Sequence, residues 1–127
     1  MKSGDAFLIA LPGARTSIPH LWILLSDPDP LTSLCVMVSV TTLRNNQDQT
    51  VVLRKGDHPF IHHDSAIFFG DARIVETTRL QAYVTAGMAI SQSPCAPSVL
   101  ALLRQGLLAS PYTPNKILTF CKQAWKP

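Results

Sequence analysis

The run Cys35-Val36-Met37-Val38-Ser39-Val40-Thr41-Thr42 decides the fold. Valine and threonine dominate it, and branching at Cβ favours the pleated backbone over a helical turn. Alternate residues of a strand share a face, so Val36, Val38 and Val40 form one apolar stripe. Similar runs stand on either side. Upstream lie Ala6-Phe7-Leu8-Ile9-Ala10-Leu11, closed by Pro12-Gly13, and His20-Leu21-Trp22-Ile23-Leu24-Leu25-Ser26, stopped by Asp27-Pro28-Asp29-Pro30. Downstream lie Gln49-Thr50-Val51-Val52-Leu53-Arg54 and Ser65-Ala66-Ile67-Phe68-Phe69-Gly70, with Asp71 to Glu76 extending the latter or adding a sixth strand. Short strands at roughly ten-residue spacing, punctuated by proline and glycine, predict a small barrel or sandwich.

The last third changes period. Val99-Leu100, Leu102-Leu103 and Leu107 recur at helical intervals, so an amphipathic helix is expected, starting at Ser93-Pro94 or Ala96-Pro97 and stopping at Ser110-Pro111. Thr113-Pro114 reads as the cap and first residue of a final helix carrying Ile117, Leu118, Phe120, Cys121 and Trp125. Thr77 to Ala86 is a candidate short helix. The expectation is a mainly β (α+β) single domain over residues 1–127, with a small β-barrel at 4–76 and a helical C-terminal segment at 77–127.

A chain of 127 residues can bury a core without disulfides or metal. Its charged fraction, 15%, is low against the usual quarter, so apolar surface is left for a partner or a homodimer. A net charge of +3 is too small for a dedicated DNA-binding stripe but suits a groove for single-stranded RNA or an acidic peptide. Cys35, Cys95 and Cys121 are far apart and odd in number, which points to reduced, partly buried thiols and a cytoplasmic setting, with no zinc-finger spacing. The first apolar segment meets Pro12-Gly13 too early for a signal sequence or a membrane span.

Chemistry concentrates in Lys55-Gly-Asp-His-Pro-Phe-Ile-His-His-Asp-Ser65, which holds His58, His62 and His63. Histidine changes charge near neutral pH, so the cluster could move protons or ligate a metal. An ordinary solvated connection, turned at Gly56-Asp57 and stiffened by Pro59, accounts for the same residues. His58, His62, His63 and Asp64 have zinc-ligand chemistry, yet adjacent His62 and His63 diverge in extended chain, and Pro59 opposes the helix that would align His58 with His62. No metal or other cofactor is expected.

The order of the segments resembles the MazF/PemK family of toxin ribonucleases, across about residues 4 to 76. The resemblance rests on Gly4-Asp5-Ala6-Phe7, on Pro19-His20-Leu21-Trp22-Ile23-Leu24-Leu25-Ser26, on Val36-Met37-Val38-Ser39-Val40-Thr41-Thr42, and on Asp64-Ser65-Ala66-Ile67-Phe68. It implies an SH3-like barrel and a metal-independent endoribonuclease that cleaves single-stranded RNA by attack of the 2′-hydroxyl. It further implies a homodimer held in check by an antitoxin protein. The family's catalytic arginine position is occupied here by His20.

Such a reaction needs a base, an acid and a donor for the phosphate charge. The residues expected to supply them are His20 and His58 for proton transfer and Thr41 or Thr42 as donor to a phosphoryl oxygen. Arg15, Arg54 and Ser65 form the expected substrate-binding set. Arginine forks match phosphate geometry. The competing expectation is a non-catalytic SH3-like barrel that binds a peptide or nucleic acid.

Overall fold

A computed structural model of the protein describes residues 1–10 and 18–126. Its strands are β1 (Ala6–Ile9), β2 (His20–Leu24), β3 (Leu34–Thr42), β4 (Val52–Leu53), β5 (Ser65–Glu76) and β6 (Ala89–Gln92), with helices α1 (Thr77–Thr85), α2 (Pro97–Ala109) and α3 (Asn115–Ala124). They form one antiparallel sheet in the order β4-β5-β3-β2-β1-β6. The sheet curls into a half-barrel, so the fold is mainly β with three helices among the described residues.

Both faces of the sheet are covered, which is why the central strand reads as a nearly unbroken apolar run. Val36, Val38 and Val40 enter one core with Leu21, Ile23, Ile67 and Phe69, sealed by Leu103, Leu107 and Ile117 from α2 and α3. Cys35 and Met37 point the other way and pack with Phe7, Trp22, Leu24 and Leu80 under α1. The two cores lie on opposite faces of the sheet, since successive residues of β3 alternate between them.

The curl has a local cause. Met37 pairs with Arg73, but Ser39 pairs with Phe68, so β5 advances five residues where β3 advances two. The surplus around Gly70 and Asp71 is a bulge, and a bulge bends its strand and increases the local twist. Packing above it is close. A Cβ added to Gly106 in α2 would lie 2.3 Å from Val51 Cγ2 and 2.8 Å from Phe69 Cζ, so only a residue without a side chain lets the helix approach this far.

Several elements differ from the sequence expectation. β6 lies in the segment expected to be helical, and it pairs with β1, so the sheet extends beyond residue 76. β4 is two residues long, since Asp48 and Thr50 are spent on a turn: Asp48 Oδ1 accepts from the Thr50 N–H and hydroxyl at 2.9 and 2.6 Å. Thr113 does not cap α3. Its hydroxyl donates to the Leu107 carbonyl at 2.7 Å, satisfying the end of α2, while Pro114 precedes the first turn of α3. The helix starts and stops at Ala96-Pro97 and Ser110 agree with expectation. Among the described residues, no helix is long and apolar enough to cross a membrane.

Candidate functional site at the end of β3

The histidine segment is a braced loop. Its first turn closes through Arg54 N–H to Asp57 Oδ2 at 2.7 Å and Asp57 N–H to the Arg54 carbonyl at 3.0 Å, with Gly56 at φ +99°. That left-handed conformation is one that glycine adopts without strain. His58 follows, only 3% exposed. Its Nδ1 accepts the Phe60 N–H at 3.0 Å, so the ring proton is on Nε2, which donates to the Ser93 carbonyl. Both ring nitrogens are thereby consumed in holding the loop to the segment after β6. Ile61 then enters the main core.

The three histidines leave this loop in three directions. His58 goes inward. His62 is exposed, its ring 6.5 Å from that of Phe60. His63 is exposed and reaches the strand end, where its Nε2 lies 3.0 Å from Thr42 Oγ1. Among the described residues, no group of three or more His, Cys, Asp or Glu side chains is placed to hold a metal ion.

Thr42 pairs with Ser65 across β3 and β5, which draws the loop's end onto the strand. The Leu43 N–H donates to the Asp64 carbonyl at 3.1 Å, and the Ser65 hydroxyl donates to the His63 carbonyl at 2.9 Å. Asp64 in turn accepts from the Arg54 guanidinium, an ion pair with both side chains well exposed. Thr42, His63, Asp64 and Arg54 therefore form a connected polar rim, with the buried Ser65 setting the backbone beneath it.

The expected site residues divide between two faces. Register continued one position beyond Leu21↔Val40 sets His20 beside Thr41, and both share the face of Trp22 and Met37. Thr42 and Ser65 point to the opposite face. The convergence of His20 with both threonines is thus broken by the pleat itself: a strand cannot aim two successive hydroxyls at one point. His58 is taken up in the loop brace, and Arg15 lies outside the described residues. His63, expected as a member of the histidine cluster but not among the catalytic residues, is the histidine that meets a threonine.

Comparison of the sequence with protein-family models gives no match, and comparison with curated proteins gives none.

Proposed function

We propose that the chain is a toxin-type, metal-independent endoribonuclease that cleaves single-stranded RNA at the rim where β3 ends, and that an antitoxin protein restrains it. The observation that carries this reading is the exposed His63 imidazole 3.0 Å from the Thr42 hydroxyl, on the strand end where the family resemblance locates its hydroxyl donors. An imidazole can take the 2′-hydroxyl proton as that oxygen bonds to phosphorus and the P–O5′ bond breaks, leaving a cyclic phosphate. The departing 5′ oxygen takes a proton from water. Thr42 then donates to a non-bridging oxygen, and Arg54 exchanges Asp64 for the phosphate. Phe60 and His62 offer ring faces on which an unpaired base can stack.

A second reading is favoured by two features of the same loop. His58 is locked into hydrogen bonds and Arg54 is paired with Asp64, which is how a binding surface without chemistry is made rigid. In that reading the rim binds RNA and releases it intact.

Incubation with a labelled single-stranded RNA library in excess EDTA separates the two. The nuclease reading expects fragments ending in a 2′,3′-cyclic phosphate, with the rate reduced about 10²-fold or more in His63→Ala and Thr42→Ala. Intact RNA that is nevertheless retained by the protein, and less so by Arg54→Gln, supports the binding module. Neither cleavage nor retention overturns both.

A further inference from the structure

The opposite face of the sheet carries an open cavity of about 470 Å³ between α1 and the start of β3. Leu34, Met37 and Leu80 supply its apolar floor, and Arg73, Arg79 and Tyr83 its polar wall. We propose that this cavity binds a nucleoside monophosphate, independently of the rim at the end of β3.

The fold holds the cavity open by two devices. The bulge turns the second half of β5 so that Arg73 comes up beside Met37. At the head of α1, the Thr77 N–H and hydroxyl both donate to the Ser33 carbonyl, at 2.9 and 3.1 Å. That tie fixes α1 over the far end of β3. Arg79, Leu80 and Tyr83 then fall on one side of α1, at helical spacing, and line the space together with Glu76, which precedes the helix.

Charge selects the ligand. Among the lining side chains two guanidinium groups stand against one carboxylate, Glu76, which already accepts from the Thr78 hydroxyl, while Asp71, beside the cavity, forms an ion pair with Arg73. Arg73 lies over the Trp22 ring at 5.6 Å and reaches Asp71 only at 3.4 Å, which leaves most of its five donors uncommitted. Among the described residues, Arg79 makes no ion pair. A phosphate dianion can satisfy two arginine forks, whereas a single carboxylate would leave one unmatched. The volume lies within the range of small-molecule sites, and a floor of leucine and methionine beside the Tyr83 ring suits a planar base rather than a bare ion.

Titration calorimetry of the intact chain with uridine and adenosine monophosphates tests this, with inorganic phosphate and the free nucleosides as controls. Binding at about 1 mM or tighter is expected for the monophosphates, weakened about tenfold or more in Arg79→Gln and in Arg73→Gln. Arg79 is exposed, so its variant folds even if loss of the Arg73–Trp22 contact disturbs the other. His63→Ala should leave the affinity unchanged, whatever becomes of RNA cleavage at the rim. Absence of binding, equal affinity for inorganic phosphate, undiminished affinity in Arg79→Gln, or loss of affinity in His63→Ala would each overturn the proposal.

Discussion

The imidazole of His58 donates from Nε2 to the backbone carbonyl of Ser93, thirty-five residues downstream, while its Nδ1 accepts the Phe60 N–H. One side chain thus joins the loop that carries the rim to the chain leaving β6. Removing it takes away the partner of the Phe60 N–H and of the Ser93 carbonyl, a loss of roughly 1 kcal/mol per hydrogen bond, and empties the space of a ring that is only 3% exposed. His58→Ala should therefore cost about 2–4 kcal/mol in urea unfolding, whereas His63→Ala, exposed five residues away, should change stability by less than about 0.5 kcal/mol. Equal unfolding midpoints for the two variants would show that the tether contributes nothing.

Gly106 lets α2 rest on Val51 and Phe69. Replacing a mid-helix glycine by alanine ordinarily stabilises by up to about 1 kcal/mol, because the unfolded chain loses freedom and the helix gains propensity. Here the added methyl would lie 2.3 Å from Val51 Cγ2, and overpacking of that kind costs about 1–3 kcal/mol. The clash wins, so Gly106→Ala should lower the melting temperature. Val51→Ala in the same chain should recover part of the loss, and a double-mutant cycle reads this as a coupling energy. Strict additivity would remove the contact as the cause.

The elements most legible in the sequence are those whose burial dictates their composition. β3 and β2 lie between two cores, so nearly every position is apolar and no polar alternation disguises them. α2 is legible because Val99, Leu103 and Leu107 must meet the sheet at helical spacing. β6 is obscure for the opposite reason: only Ala89 of its residues is buried, with Ile90 and Ser91 exposed, so its strand character comes from pairing with β1 rather than from its own residues. The site is harder still. Nothing in His58-Pro59-Phe60-Ile61-His62-His63 says which imidazole goes inward, because that depends on a carbonyl at Ser93 that is distant in sequence. The alternation of Thr41 and Thr42, by contrast, follows directly from their adjacency in an extended strand.

The cysteines should be inert while the protein is folded. Cys35 and Cys121 are fully buried, and burial pushes their thiols up to about 11 and about 12; burial raises Cys95 as well. Thiolate is the reacting species, and its fraction at pH 8 is then very small even where reagent could enter. A chromogenic disulfide reagent at pH 8 should label none of Cys35, Cys95 and Cys121 within the time that it labels all of them in denaturant. Rapid labelling of one thiol in the native protein would locate an opening in the core around it.

Asp48 links the turn before β4 to the end of α2, and it gives the fold an acid-sensitive joint. Burial alone would raise its pKa, but hydrogen bonds from the Ser110 hydroxyl and from the Thr50 hydroxyl and N–H outweigh that and hold the carboxyl below its ordinary value. A carboxyl whose pKa is lower folded than unfolded contributes stability above its unfolded pKa and loses it as the pH falls through the folded one. The contribution should therefore be complete at pH 6 and fade below about pH 4, near the unfolded value for an aspartate. Asp48→Asn removes the charge at every pH while keeping the shape, so it should lower stability at pH 6 and flatten the acid limb of the stability curve. Ser110→Ala should do the same to a smaller degree, because Thr50 remains. Chemical denaturation of the chain and its two variants between pH 3 and pH 7 measures both effects. Parallel curves would mean that Asp48 is equally well solvated in the unfolded chain and that its hydrogen bonds add nothing.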